Sequence, residues 1–228
     1  EQPKTATIAI NEPCALFSPF ELNTTATKEG DDFIINRIKN MVPLAEHASF
    51  FLVAATTEHN GIQLFIIDKN TTGVEITRDK YMGLNAAQMC EIKFDAVKIH
   101  ASAMLGGDAG IQYDTFISYS KLGWCALSVG CCQAVLDYVI TYANDRYAFG
   151  EPISNRQAVA FMIADMKIEL ESMRILTQRA AAKAEQGLDF KRDTYLAHVL
   201  CCDKSMQIGS NGVQLLGGHG YIKDFPVE

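Results

Sequence analysis

With 228 residues the chain is long enough for one large domain or two small ones. A net charge of −7 denies it the basic face that a phosphate-backbone binder needs, but leaves room for a dinucleotide, which a few placed cations and backbone amides can hold. No apolar run approaches the roughly 20 residues of a membrane span, and the start, Glu1-Gln2-Pro3-Lys4-Thr5, carries no secretory pattern.

The elements change in character along the chain. Asp32–Asn36, Phe50–Ala54, Leu64–Ile67 and Cys90–Phe94 are short apolar runs with the length of strands. Glu29-Gly30-Asp31-Asp32 and His59-Asn60-Gly61 are turn signals of the hairpin kind. After Gly106-Gly107-Asp108-Ala109-Gly110 the apolar period becomes helical. A first helix is predicted from about Tyr113 to Tyr142. A second runs from about Asn155 to Glu185, where Gln186-Gly187 stops it, and a third from about Arg192 to Leu216, where Gly217-Gly218 stops it. On the second, Val159, Met162, Ile163, Met166, Leu170 and Met173 share one face, while Arg156, Lys167, Glu171, Arg174 and Gln178 lie off it. The expected fold class is α+β: a beta-barrel or sandwich-like N-terminal half over residues 1–106, then an up-and-down helical bundle over 107–228.

Seven cysteines, none at C-x-x-C spacing, read as small buried side chains of a protein in a reducing compartment. None of the five histidines is spaced from another histidine or a cysteine as a zinc motif demands, so no metal is expected.

Two stretches carry chemistry. The first, Tyr142 through Arg146, Phe149, Gly150, Pro152 and Ile153 to Gln157, joins the first helix to the second. It offers a guanidinium suited to phosphate oxygens, an aromatic face and an amide. The plain alternative is a helix-hairpin turn with an incidental arginine. The second is Gln214-Leu215-Leu216-Gly217-Gly218-His219-Gly220-Tyr221, followed by Asp224-Phe225-Pro226-Val227-Glu228. Its paired glycines allow close backbone approach to a ligand, or simply cap a helix.

Taken in order, Arg-x-x-Phe-Gly-x-Pro-Ile-x-x-x-Gln, Ala164-Asp165-Met166 and Gln-x-x-Gly-Gly-x-Gly-Tyr with Pro-Val-Glu resemble the C-terminal helical domain of the acyl-CoA dehydrogenase family. The likeness runs from Leu105 to Glu228. The first hundred residues are more loosely similar to that family's middle beta domain, through Asn11-Glu12-Pro13, Lys80 with Gly83, and Phe94 through Val97 to Leu105-Gly106. Family members have an N-terminal helical domain and a C-terminal continuation that this sequence does not show, so a fragment or a short form is expected, with its helical domain incomplete. The resemblance implies a FAD-dependent oxidoreductase that removes a proton beside an acyl-CoA thioester carbonyl and passes a hydride from the next carbon to flavin N5. It implies cofactor contacts at Arg146, Phe149, Gln157, Gln214, Gly217 and Gly218, at the adenine and pyrophosphate end of a neighbouring subunit's FAD. It also implies a dimer or tetramer with another subunit of the family, in the mitochondrial matrix or a bacterial cytoplasm.

The flavin-ring half departs from the family's pattern. Where the family has glycine and serine after its Thr-Glu-Pro, this chain has Leu16 and Phe17, and where it has Trp-Ile-Thr, this chain has Met41-Val42-Pro43. Lys121 replaces the arginine usual twenty-five residues before Arg146, and Ser120 occupies the alternative catalytic-base position. The usual base falls beyond Glu228, so no catalytic residue is assigned. Glu169 and Glu171 read as surface charges, and Asp165 as structural. Two readings follow: a flavoenzyme or one subunit of it, or a family-derived structural subunit that has lost catalysis and keeps half of a FAD site.

Overall fold

The computed structural model describes residues 4–83 and 85–227. The chain divides between Phe116 and Ile117 into two compact units.

The first unit holds seven strands: β1 (Ala6–Ala9), β2 (Thr25–Glu29), β3 (Asp32–Val42), β4 (Phe50–Thr57), β5 (Gly61–Asp68), β6 (Val74–Arg78) and β7 (Cys90–His100). They form one mixed sheet, a half-barrel in the order β1-β4-β2-β3-β7-β6, with β5 also paired to β4. The predicted hairpin turns fall where expected: Glu29 pairs Asp32, and Thr57 pairs Gly61. The β3–β7 ladder slips twice, between Ile35 and Arg37 and between Lys39 and Val42. Each slip places a residue at positive φ, Arg37 at 106° and Met41 at 52°, as a bulge that redirects the strand does. Phe33, Phe51, Phe65, Ile35, Ile67, Ile92 and Phe94 fill the core.

One polar pair is sealed into this unit. Lys39 is 0% exposed, and its Nζ donates to Glu12 Oε1 at 2.8 Å and to the Ile10 carbonyl at 3.0 Å. Glu12 also accepts from the backbone amides of Asn23 and Thr24 and from the Thr24 hydroxyl. Burial alone would raise the Glu12 carboxyl. The Lys39, Thr24 and Asn23 donors outweigh it and hold the carboxyl at about 2. Burial pushes Lys39 down to about 8 in spite of the attraction of Glu12.

The second unit is built from three long helices. Helix α1 (Tyr113–Asp145) enters it, a two-strand hairpin of β8 (Tyr147–Ala148) and β9 (Glu151–Pro152) follows, and α2 (Gln157–Glu185) and α3 (Lys191–Leu216) complete it. Cys125, Leu136 and Val139 of α1 meet Met166, Leu170 and Met173 of α2 and Ala197, Cys201 and Ile208 of α3. At Gly212 of α3 the packing is close: an added Cβ would lie 2.6 Å from Val135 and 2.7 Å from Val227. Asp193, in the first turn of α3, takes ion pairs from Arg179 and Lys183 of α2, and the Lys183 hydrogen bond holds its carboxyl below the usual range.

The structure refines three sequence expectations. Helix α1 does contain an 18-residue window of mean hydropathy 1.4, long and apolar enough by length and composition to cross a membrane, with 28% of that window buried. Its serines and glycines interrupt any unbroken apolar run without making the window polar. The cysteines are not uniformly buried: Cys14, Cys131 and Cys202 are exposed. Within each adjacent pair, one turn of about 100° sends one thiol inward and the other out. Asp165 is exposed rather than packed into the bundle.

Candidate functional site

The two motifs meet. Arg146 directly follows α1, and its amide still donates to the Tyr142 carbonyl at 2.9 Å. The Arg146 carbonyl accepts from the Ile153 amide at 2.9 Å, which closes the β8–β9 hairpin. Phe149 and Gly150 form its tip, at φ 56° and 86°, the positive pair that a tight twisted hairpin requires. Phe149 is 95% exposed, and the Arg156 guanidinium lies 5.5 Å over its ring while its Nε pairs with Glu151 at 3.1 Å. The second motif begins in the last turn of α3 and breaks at Gly217, φ 59°, into a short 3-10 turn, Gly217–Tyr221.

Between them lies a cleft of about 410 Å³, lined by Tyr142, Arg146, Ile153 and the run from Gln214 to His219. Arg146, Gln214, Gly217 and Gly218 therefore share one space. Phe149 stands out on the hairpin tip, and Gln157, exposed at the start of α2, does not line the cleft. Arg146 is exposed and forms no ion pair among the described residues, so its guanidinium is available to an anion. The glycines divide by role. A Cβ on Gly220 would strike the Val213 carbonyl at 2.6 Å, whereas one on Gly218 would meet nothing within 4 Å. Gly220 is demanded by the fold; at Gly218 the missing side chain leaves open room at the cleft. A cation, backbone that a ligand can approach and a terminal amide suit a diphosphate.

Tyr142 and His219 line the same cleft and were not expected as site residues. Tyr142 opens the first motif and His219 sits inside the second, so motif membership was the available signal.

Of the positions expected near a flavin ring, Leu16, Phe17, Met41 and Pro43 lie in the first unit and Ser120 and Lys121 in the second. Leu16 is 91% exposed and, with Phe17, Ser18, Cys14 and Glu12, lines a cavity of about 300 Å³. Met41 is the bulge residue, and the Pro43 carbonyl accepts from the Thr7 hydroxyl at 2.7 Å. Ser120 is half-buried on α1, and Lys121 lies 5.9 Å from the Tyr195 ring. Glu169 pairs with Lys204 at 3.1 Å, and Glu171 with Lys167. Glu228 lies outside the described residues. Among the described residues no cluster of His, Cys, Asp or Glu is arranged to hold a metal ion.

The chain thus joins a mixed half-barrel to a helical unit that carries an anion-accessible cleft at a helix-to-helix turn. Residues 7–97 match the acyl-CoA dehydrogenase middle domain and residues 110–228 the acyl-CoA dehydrogenase C-terminal domain. The chain belongs to the acyl-CoA dehydrogenase family. It is 32% identical to the short/branched chain specific acyl-CoA dehydrogenase of rat mitochondria over 99% of this chain and 54% of that protein. It is 30% identical to an acyl-CoA dehydrogenase of Bacillus subtilis over 96% of this chain and 60% of that protein. Butyryl-CoA dehydrogenase from Megasphaera elsdenii superposes with a TM-score of 0.88 at 30% identity, over 98% of this chain and 61% of its own. The chain thus spans little more than half the length of the relatives it matches.

Proposed function

We infer that the protein works in a FAD-dependent acyl-CoA dehydrogenase, as the enzyme or one subunit of it, with an acyl-CoA thioester as substrate. Residues 1–106 act as its middle beta domain and 107–228 as its C-terminal helical domain. The single observation that carries this reading is the convergence of Arg146, Gln214, Gly217 and Gly218 on one cleft, in a chain of this family. There Arg146 would pair with phosphate oxygens, Gln214 would supply a polar edge, and the two glycines would let backbone approach the diphosphate. Phe149 and Gln157 lie outside the cleft, where they would meet the adenine end of a cofactor that extends past it. Bound FAD supplies the hydride acceptor. What these residues contribute is binding and orientation of its diphosphate end, and no base is assigned. The relatives named above are all dehydrogenases, which favours an active assembly over a structural subunit.

Exposed apolar side chains on the helices, among them Trp124 and Leu127 of α1 and Leu196 and Val199 of α3, support a partner subunit of the same family in a dimer or tetramer. The mitochondrial and bacterial relatives support a matrix or bacterial cytoplasmic setting.

The test is a visible absorbance scan of the purified full-length protein for oxidised flavin, followed by FAD titration. Arg146→Ala should weaken FAD by about 1.5–3 kcal/mol, the loss of one charge-assisted hydrogen-bonded contact. Undiminished affinity in that variant would remove the cleft from the reading.

A further inference from the structure

The family motif leaves the position of His219 unspecified, yet the structure fixes that ring closely. Its Nδ1 lies 2.8 Å from the Tyr142 hydroxyl, and the same hydroxyl lies 3.4 Å from the Leu216 carbonyl. A phenol has one proton to donate. The 2.8 Å contact is of normal hydrogen-bond length, while 3.4 Å is at the weak edge. The tautomer in which Tyr142 donates along the shorter contact has Nδ1 as acceptor and the ring's own proton on Nε2. Had Leu216 taken the phenol proton, Nδ1 would be the donor and Nε2 a bare acceptor.

The ring is also held in place. It stacks on Phe225 at 4.5 Å with 9° between the planes, and it meets Tyr142 edge-on at 5.9 Å. Phe225 in turn meets Tyr142 edge-on at 6.0 Å. These contacts remove rotamer freedom before any ligand arrives, which lowers the entropic cost of a hydrogen bond made from this ring. Next to it in sequence is Gly218, the glycine whose open Cβ position nothing in the chain requires. Arg146 lines the same cleft.

We propose that His219 is a binding residue of this cleft, donating its Nε2 proton to a phosphate oxygen of the nucleotide held there, with Tyr142 as the positioning residue that sets the tautomer. This rests on the assignment of the cleft to the diphosphate end of FAD, and adds to it an imidazole N–H donor beside the Arg146 cation. The ligand chemistry is a nucleoside diphosphate, which FAD and free ADP share.

The experiment is calorimetric titration of FAD and of ADP into the full-length, assembled, flavin-stripped protein. The proteins compared are wild type, Arg146→Ala, His219→Ala, His219→Asn and Tyr142→Phe, with thermal melts as a control for folding. His219→Ala should weaken both ligands about tenfold, about 1.4 kcal/mol for one hydrogen bond to a charged group. His219→Asn, which keeps a donor, should recover most of that loss. Tyr142→Phe should weaken binding a few-fold, because the released imidazole then shares its proton between both nitrogens. In 15N spectra of histidine-labelled wild type, the His219 ring should be the Nε2–H tautomer, and its Nε2 signal should move on addition of ADP. Wild-type affinity in His219→Ala, or an unmoved Nε2 signal at saturating ADP, overturns the proposal. If that happens while Arg146→Ala is weakened, only the role of His219 falls. A wild-type protein that binds neither ligand removes the cofactor assignment, and the role of His219 with it.

Discussion

Phe149 is an exposed aromatic held at φ 56°, in the left-handed region that favours glycine. That conformation costs a side chain about 1–2 kcal/mol. The Arg156 guanidinium over its ring returns part of this, about 0.5–1 kcal/mol for an exposed cation–π contact. Phe149→Asn should therefore raise stability slightly, by up to about 1 kcal/mol in urea titration, since asparagine tolerates this backbone better. A fall in stability would mean that the ring contact outweighs the strain. The same substitution should reduce FAD affinity if the aromatic packs against the cofactor, so stability and binding should move in opposite directions. Sequence alone showed that a phenylalanine stood before a glycine; it could not show that the two form a strained hairpin tip.

At the scale of elements, the Glu12–Lys39 pair ties a loop to β3. Lys39→Met would leave Glu12 buried without its cation and should cost about 3–5 kcal/mol. Adding Glu12→Gln to that variant should recover part of the loss, and a neutral single variant would show that the pair is not structural. The pH dependence follows from Glu12. Its folded value, about 2, lies below the ordinary 4.5. The group therefore stabilises the fold fully above pH 4.5, and that contribution drains away as pH falls toward 2. Urea midpoints between pH 5 and 2 should drop more steeply in wild type than in Glu12→Gln. On α3, Gly212→Ala gains helix propensity of up to about 1 kcal/mol but drives a methyl into Val135 and Val227. Both neighbours are stiff at χ1, so the net should be destabilising, in the range of about 1–3 kcal/mol for overpacking. Legibility followed burial. The strands with apolar runs, β3, β4, β5 and β7, could be read from their side chains. In β1 the pattern is inverted, with Thr7 buried and Ile8 exposed; β2 buries only Ala26, and β6 buries none of its residues. Such strands add only small or partly buried side chains to the core, Ala9, Ala26, Val74 and Ile76, which leaves a weak hydrophobic signature.

For the whole molecule, the switch from strands to helices was readable because the apolar period changes, and the actual change falls between His100 and Tyr113. The half-barrel order was not, because β4 lies between β1 and β2, and nothing local to those segments encodes that neighbour. The cleft was half legible: the motifs named its charged and glycine residues, while the aromatic support from Tyr142 and Phe225 needed the fold. Exposed apolar side chains recur along α2 at Phe161, Ile168 and Ile175, a spacing of two helical turns that makes one stripe. Light scattering of the full-length protein at micromolar concentration should give at least a dimer mass, and a monomer would refute the subunit contact.

The loop from Pro13 to Leu22 has its neck closed by one carboxylate: Glu12 grips Lys39 on one side and the amides of Asn23 and Thr24 on the other. Closure at the neck uncouples what lies beyond it. The sheet gains its order whether or not the tip is well packed, so the tip can change sequence at little cost to folding. That is a physical reason why the tip can carry residues as large as Leu16 and Phe17. In hydrogen exchange the neck amides of Asn23 and Thr24 should share the slow rate of the strands, while those of residues 15–20 exchange early and independently.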